Sequence, residues 1–374
     1  MRRFTTTSLA LTIAATGIFA GGLAVAAQDE AAWKVAMLAD VGALDDKNFN
    51  EYTFVGTSAA AEALGLPEPA AVVPKDDSEY GALLQSLIDD GNNIIVTTGF
   101  NLGVETTKAA KANPDVWFVG VDQAPICVTP EGDPDDTFAC EGDAAALLPN
   151  YIAIGYAEDQ AGYLAGMAAA DASETGKIGA IGGVTFCAPC VRYIQGYQRG
   201  AKAVNPDIEV SAAWVTDSDI NKAFYDQPGG KLFAQQFIEL NQPDVIFQVA
   251  GQTGNGVLDA ACEAGILGVG VDVDQYLSYP AASACLLTSA EKKLAKTVDD
   301  TIQSIAGGTA IGGNARFDAS NDGIGFSDFR DKADLVSPEV QQMMADALAQ
   351  MKDGTLETCP PDNCGRLTED GTLE

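Results

Sequence analysis

The segments FVGVDQ (118–123) and GVGVDVDQ (268–275) lie far apart in the chain, yet each ends a short apolar run with the same Gly-Val-Asp. Apolar runs of this kind, bounded by turn residues, are typical of buried strands. In open parallel sheets ligands bind beyond the carboxyl ends of strands, where Asp122 and Asp272 would project. The repeated tripeptide therefore predicts two similar halves that each contribute a carboxylate to a site. A turn residue or helix cap is the alternative interpretation of either aspartate.

The sequence around these runs alternates short β-branched stretches with longer amphipathic ones, as in KVAMLAD (34–40) and YGALLQSLIDDG (80–91). Repeated βαβ units predict parallel sheets covered by helices on both faces. We therefore predict an α/β fold with two doubly wound parallel-sheet lobes. Several crossings between the lobes predict a hinge with a cleft beside it. The predicted lobes comprise 31–123 plus 276–315, and 124–275 plus 316–374, with a disulfide-bearing insertion loop at 124–149.

The N-terminus has the layout of a secretory signal peptide. Arg2 and Arg3 precede an apolar run that ends in small residues, and Ala24-Val25-Ala26 is an A-x-A cleavage site. A cleaved signal peptide over 1–26 predicts a periplasmic or extracellular protein. A retained membrane anchor is the alternative, for which the run is marginal in length.

The eight cysteines agree with export, because they fall into near-neighbour pairs. In an oxidising compartment such spacing indicates local disulfides. The pairs predicted by proximity are Cys127–Cys140, Cys187–Cys190, Cys262–Cys285 and Cys359–Cys364. The segment CAPC (187–190) also has C-x-x-C redox spacing, but no companion motif accompanies it, so a structural disulfide is favoured.

Composition excludes several classes of function. The net charge of −32 repels nucleic acid and anionic lipid, and disfavours a multiply phosphorylated ligand. The chain has no histidine, so it lacks Ser-His-Asp and Cys-His nucleophile arrangements and most types of zinc site. GQTGNG (251–256) has neither the Lys-Ser/Thr of a P-loop nor dinucleotide-binding spacing. We expect no enzyme activity, no cofactor and no metal.

The stretch DVGALDDKNFNEYTFVG (40–56) leads from the first strand into the first helix. Asn48 with Glu51 three residues later predicts a capping box. This does not account for Asp45 and Asp46 before the cap, or for an aromatic Phe49 on the first turn. A carboxylate and an aromatic face at a cleft suit a neutral, planar, polar ligand.

At this point the sequence resembles the basic membrane protein family, the purine-nucleoside-binding proteins of ABC transporters. The family pattern Asp-x-Gly-x-x-(Asn/Asp)-Asp-x-Ser-Phe-Asn is matched at Asp40, Gly42, Asp45, Asp46, Phe49 and Asn50. Further matches follow in order through most of the mature chain: GYAEDQAGYLAGMAA (155–169), VRYIQGYQRGAKAVNPDIEV (191–210), DVIFQVAGQTGNGV (244–257) and LTSAEKKLAKTV (287–298). The resemblance implies the type I periplasmic-binding-protein fold.

The resemblance also implies a ligand-binding set. Phe49 and Phe224 would sandwich the base from opposite lobes, with Tyr225 an alternative second wall. Asp45 would contact the base edge, and its acceptor oxygens favour guanosine or inosine, which carry an N1–H donor. The ribose hydroxyls would be held by Asp122, Asp272 and Lys292, and Asn50 completes the set.

The implied function is substrate binding for an ABC importer, with a purine nucleoside and a permease as partners, no nucleic acid, and a monomeric protein. One alternative keeps the fold and changes the ligand to a sugar or another small polar metabolite. A less favoured one is a periplasmic enzyme, either a nucleoside hydrolase with Asp40, Asp45 and Asp46 around a cation or a thiol oxidoreductase using CAPC.

Overall fold

The computed structural model describes residues 33–40, 42–360 and 362–373. The predicted signal peptide, 1–26, lies outside the described residues. From Trp33 onwards short strands alternate with longer helices, as the hydrophobic pattern predicts. Within the described residues, no helix is both long and apolar enough to cross a bilayer.

The strands are named in chain order. They are β1 (Val35–Leu38), β2 (Ala70–Val72), β3 (Ile94–Thr98), β4 (Trp117–Val121), β5 (Tyr151–Tyr156), β6 (Lys177–Gly182), β7 (Glu209–Trp214), β8 (Val245–Val249), β9 (Leu267–Asp272), β10 (Leu286–Lys292), β11 (Gly313–Phe317) and β12 (Ile324–Phe326).

The α-helices follow the same order. They are α1 (Phe49–Ala63), α2 (Tyr80–Asp89), α3 (Gly103–Ala112), α4 (Ala144–Leu147), α5 (Glu158–Ala172), α6 (Ala188–Val204), α7 (Ile220–Phe224), α8 (Gln227–Asn241), α9 (Gly251–Ala264), α10 (Gln275–Ser278), α11 (Leu294–Ala306) and α12 (Pro338–Lys352).

Two six-stranded sheets organise the chain. The first has the order β11-β5-β4-β3-β1-β2 and is parallel throughout. The second has the order β12-β10-β9-β8-β6-β7 and is parallel except for β12, which runs antiparallel to β10. The predicted fold class, with two doubly wound sheets of mostly parallel strands, is confirmed. We call each sheet with the helices packed on it the first and the second lobe.

The strands are shared between the lobes differently from the predicted ranges. Strand β5, placed by prediction in the second lobe, pairs with β4 in the first sheet. Strand β10, placed in the first lobe, pairs with β9 in the second sheet. The helix after it, α11, packs on α1, and the next strand, β11, pairs with β5 in the first sheet. Hydrophobic periodicity reveals a strand but not its partner, so these two assignments needed the tertiary structure.

The chain passes from one sheet to the other three times within the described residues: after β5, after β10 and after β11. The last helix, α12, packs on α5 of the second lobe, as predicted. All four disulfides predicted from proximity are formed: Cys127–Cys140, Cys187–Cys190, Cys262–Cys285 and Cys359–Cys364. The first of them closes the insertion loop at 124–149.

Helices α5 and α6 cross with their backbones in close approach. Each carries two glycines spaced four residues apart, Gly162 and Gly166 on α5 and Gly196 and Gly200 on α6. A Cβ at any of the four would overlap a backbone carbonyl oxygen of the facing helix. Small residues at this spacing are what allow two helices to approach so closely, and the crossing forms the base on which the second sheet rests.

We predict that Gly200→Ala lowers the free energy of unfolding by about 3 kcal/mol, because its methyl group would overlap the carbonyl of Tyr163. Urea denaturation with the disulfides intact would measure the loss. Gly103→Ala is the matched control: Gly103 is helical, and an added Cβ would lie 3.9 Å from the nearest side-chain atom. Equal stability of the two variants would show that the α5–α6 crossing is not tightly packed.

Candidate ligand-binding site

A cavity lies between the two lobes at the carboxyl ends of the parallel strands. The empty space among its walls, together with the solvent at its mouth, amounts to about 600 Å³. Its polar walls include Asp40, Asp46, Asp122, Asp272 and Lys292, and its aromatic walls are Phe49, Phe100, Tyr193, Phe224 and Tyr225.

The repeated Gly-Val-Asp has the same structure in both lobes. Asp122 directly follows β4 and Asp272 ends β9, and the φ angles of the two residues are 61° and 63°. A positive φ is uncommon for residues other than glycine, and aspartate is among those that tolerate it. Asp122 and Asp272 both line the cavity, one at the end of a strand of each sheet.

Lys292 lies at the centre of the cavity wall, and its side chain is only 2% exposed. It forms an ion pair with Asp122, and its ammonium nitrogen is 3.4 Å from Glu158 and 3.6 Å from Asp272. The rings of Phe49, Tyr156 and Tyr193 surround it, with their centroids 5.3–5.4 Å from the nitrogen. Burial disfavours the charge, but the three carboxylates outweigh burial and raise the pKa of Lys292.

A second cation completes this cluster. Arg192 donates from Nε to Glu158 at 2.6 Å, and Glu158 has no exposed side-chain surface. Burial alone would raise the pKa of Glu158, but the charges of Arg192 and Lys292 lower it. Burial raises the pKa of Asp122 and of Asp272, against the opposing effect of Lys292. The cluster therefore contains three carboxylates, those of Asp122, Asp272 and Glu158, and two cations. The carboxylate oxygens that the two cations do not engage are acceptors available at the cavity.

Asp46 has two roles. Its carboxylate accepts hydrogen bonds from the backbone N–H groups of Asn48 (2.9 Å), Asn50 (2.9 Å) and Glu51 (3.1 Å), so it caps α1. It also lines the cavity, and burial raises its pKa to about 7 against the effect of these three donors. The predicted capping box is wrong in its residues, because Asn48 makes no side-chain cap bond and Glu51 accepts from the backbone N–H of Lys47 instead.

Five of the seven predicted ligand-binding residues line the cavity: Phe49, Asp122, Phe224, Asp272 and Lys292. Asn50 lies behind the wall, where its amide oxygen accepts from the Thr98 hydroxyl at 2.8 Å. Asp45 is exposed and is not a lining residue. The reason is that Asp46 turns inward to cap α1, which points the preceding residue outward.

Phe224 and Tyr225 both line the cavity, but Tyr225 also packs against the first lobe. Its ring covers Gly42 of the first lobe, where any Cβ would overlap it. Burial, together with the charges of Asp40 and Asp46, raises the pKa of Tyr225 well above its usual value. Phe224 lies over Gly183 and meets the edge of Phe100 at a centroid distance of 6.4 Å. Tyr225 thus packs between the lobes, and of this adjacent pair Phe224 remains the candidate for the second stacking wall.

The predicted ligand-binding set omits several lining groups. Asp40 lies two residues after β1 and accepts from the hydroxyl of Tyr80. Tyr193 donates to Asp272 at 3.2 Å from the first turns of α6. The Cys187–Cys190 disulfide and Pro189 form an apolar wall at the start of that helix. The position of Asp40 after a strand was a usable signal, whereas the roles of Tyr193 and the disulfide depend on how α6 is placed.

The acids considered for a cation site do not converge. Asp46 is directed at the N-terminus of α1 and Asp45 faces solvent. Among the described residues, no group of three or more Asp, Glu, Cys or His side chains is arranged to hold a metal ion.

We predict that Lys292→Met destabilises the protein by about 3–5 kcal/mol at pH 8, because it leaves three buried carboxylates facing a single arginine. The folded-state pKa values of Asp122 and Asp272, already raised, would rise further. The stability associated with their protonation is fully present at low pH and is lost as pH rises through those values, so the loss should be smaller at pH 5. Urea denaturation at both pH values tests this.

Lys296→Met is the control for Lys292→Met, because Lys296 forms only an exposed pair with Asp300 and should change stability little at either pH. A loss for Lys292→Met that is equal at pH 5 and pH 8 would contradict the proposed electrostatic origin.

Comparison with known proteins identifies the family. The model of the Bmp family, described as ABC transporter substrate-binding protein PnrA-like, matches residues 33–355. The ABC transporter nucleoside-binding protein BmpA of Lactococcus lactis subsp. cremoris is 27% identical over 341 residues, which cover 86% of this chain and 88% of the relative. Basic membrane protein B of Borreliella burgdorferi is 32% identical over 260 residues, 66% of this chain and 67% of the relative.

Structural comparison supports the same assignment at the level of fold. A solute-binding protein of an ABC transporter system from Aeropyrum pernix K1 superposes with a TM-score of 0.73 at 21% identity, covering 87% of this chain and 93% of that chain. Two lobes, a cavity between their strand ends and a family match over residues 33–355 agree. The chain belongs to the Bmp family of ABC transporter substrate-binding proteins.

Proposed function

We propose that this protein binds a purine nucleoside between its lobes and delivers it to the permease of an ABC importer. The observation that carries the proposal is the convergence of Phe49 and Phe224, one from each lobe, with the Asp122–Asp272–Lys292 cluster on a single cavity. Aromatic faces suit a base, and paired carboxylates with an ammonium suit vicinal hydroxyls. The relative from Lactococcus lactis carries the name of a nucleoside-binding protein, which supports the same ligand class.

The base is stacked between Phe49 and Phe224. Base–aromatic stacking contributes about 1–3 kcal/mol per base and tolerates any base, so it does not select the purine. Selection comes from Asp46, which lines the cavity and takes the role that the sequence assigned to Asp45. An ionised carboxylate only accepts hydrogen bonds, so it favours guanosine or inosine, whose N1–H is a donor.

The ribose lies against the charged cluster. Asp122 Oδ1 is buried without a hydrogen-bond partner among the described residues, which makes it an open acceptor for a ligand hydroxyl. Asp272 offers further acceptor capacity and Lys292 a donor. Bonds from hydroxyls to ionised carboxylates are charge-assisted and are about twice as strong as neutral ones, so this cluster favours a ribose with both hydroxyls.

The location follows from the transport role. We propose that residues 1–26 direct export and are removed, and that the mature protein works as a monomer in the periplasm or outside the cell. A sugar or another small polar metabolite would use the carboxylate cluster but would leave the two aromatic walls without a stacked partner.

We expect the mature, ligand-stripped protein to bind guanosine or inosine in isothermal titration more tightly than adenosine, uridine or ribose. Phe49→Ala and Phe224→Ala should each weaken binding by about tenfold to a hundredfold through lost stacking. Phe138→Ala is the matched control, because Phe138 is 79% exposed and is not a lining residue. Tight binding of ribose alone, or of none of the five compounds, would overturn the nucleoside assignment.

Binding of inosine should depend on pH. With the pKa of Asp46 near 7, a falling pH protonates the proposed acceptor of the N1–H, and affinity should drop by up to about tenfold per unit between pH 7 and pH 5.5. Titration calorimetry across this range measures the slope. Asp46→Asn should make the slope shallower, because an amide does not titrate, and should leave only the contribution of Asp122, whose pKa is raised to about 6. A slope that is the same in both proteins would exclude Asp46 as the base-edge acceptor.

A further inference from the structure

The chain continues beyond the segment that the family model matches. That match ends at residue 355, whereas the chain has 374 residues. In the described residues after 355 there is no helix or strand, yet the backbone is not free: Thr358 and Cys359 are buried, and the Cys359–Cys364 disulfide closes a small ring. We call the described residues after 355, which are 356–360 and 362–373, the C-terminal segment.

One side chain of α6 holds the C-terminal segment at several places. Gln195 is 1% exposed, and its amide oxygen accepts from the backbone N–H of Gly365 at 2.8 Å. Its amide nitrogen lies within 3.0–3.1 Å of three carbonyl oxygens of the segment, those of Asn363, Arg366 and Leu373. A buried amide with this many partners would leave several polar groups unsatisfied if it were removed.

The C-terminal segment packs beside the first turn of α6. A Cβ at Gly365 would lie 3.1 Å from a guanidinium nitrogen of Arg192 and 3.3 Å from both the Cβ and the carbonyl oxygen of Ala188. Ala188 lies between Cys187 and Cys190, whose disulfide lines the ligand cavity on the other side of this turn. The C-terminal segment and the ligand cavity therefore share one helical turn as a wall.

A charged path leads from the same turn into the cavity. Arg192, whose guanidinium lies beside Gly365 of the C-terminal segment, donates to Glu158 at 2.6 Å, and the other oxygen of Glu158 is 3.4 Å from Lys292. The segment also holds the neighbouring residue on α5, because the hydroxyl of Thr358 donates to Asp159. Packing and ion pairs thus form an unbroken series of contacts from the C-terminus to Lys292.

We propose that the C-terminal segment is a strap that positions the disulfide wall and the Arg192–Glu158–Lys292 series for ligand binding, with Gln195 as its positioning residue. Two of the four disulfides then have related roles: Cys359–Cys364 shapes the strap, and Cys187–Cys190 stiffens the wall that the strap supports. The part of the proposal that concerns ligand affinity rests on the proposed nucleoside function.

The test uses the full mature chain with Gln195→Met, a substitution of similar size that can neither donate nor accept through an amide. Inosine affinity should fall by about three- to thirtyfold. Gln342→Met is the control, because Gln342 is an exposed glutamine of α12 whose side chain donates to Asp346. Cys359→Ser with Cys364→Ser opens the strap while Gln195 itself is kept, and it should weaken binding in the same direction.

A second measurement does not need the nucleoside. Dithiothreitol reduces a disulfide by supplying two electrons while it closes to its own cyclic disulfide, and the two released thiolates take up protons or alkylating reagent. In Gln195→Met, Cys187–Cys190 should be reduced several-fold faster than in the wild type, as measured by alkylation and peptide mass spectrometry. The Cys262–Cys285 disulfide in the same molecule should keep its wild-type rate.

The outcomes separate the proposals. The strap proposal would be overturned if Gln195→Met and the double serine variant both kept the wild-type inosine affinity and the wild-type reduction rate of Cys187–Cys190. Equal acceleration of the reduction of all the disulfides would also overturn it, because that would indicate only a general loss of stability. If the wild-type protein binds no nucleoside, the proposed function fails, and the selective reduction of Cys187–Cys190 alone decides whether the strap positions the wall.

Discussion

Lys292 is the residue on which the arrangement of the two lobes depends most. It projects from β10 of the second sheet, while its ion-pair partner Asp122 follows β4 of the first sheet. A buried charge is tolerated only when partners compensate for its lost hydration, and removing one partner leaves the others uncompensated. The pair therefore favours one apposition of the lobes over others. The aromatic rings around the ammonium exclude water from this contact and strengthen it.

Other contacts between the two lobes also involve residues that line the cavity. The side-chain amide of Asn255 on α9 donates to the backbone carbonyl of Asp46 at 3.1 Å, and its own oxygen is fixed by Gln275 at 2.8 Å. Tyr225 fills the space above Gly42. Because Asp46 and Lys292 belong both to the interlobe contacts and to the cavity wall, a ligand that binds these residues also favours this arrangement of the lobes.

The sequence allowed much of this to be predicted, for identifiable reasons. Alternating strand and helix patterns and the repeated Gly-Val-Asp are local signals, and they led to the two parallel sheets and to the two facing carboxylates. Cysteine proximity sufficed for the disulfides because each pair is close along the chain. The sheet memberships of β5 and β10 could not be read locally, since strand pairing is decided by tertiary contacts. Nor could Asp45 be told from Asp46, because the choice depends on which carboxylate satisfies the free N–H groups of α1.

The charges that line the cavity disfavour a phosphorylated ligand, as the net charge of the whole chain does. Four carboxylates and one ammonium are among the residues lining the cavity, and the nearby Arg192 is already engaged by Glu158. A phosphate group would face like charges there, and among the described lining residues the one ammonium, Lys292, is already paired. The N-terminus of α1 does not offer its N–H groups instead, because Asp46 accepts from them. The same carboxylates are suited to hydroxyl and N–H donors. These charges therefore disfavour a phosphorylated ligand, which agrees with the proposal of a neutral nucleoside.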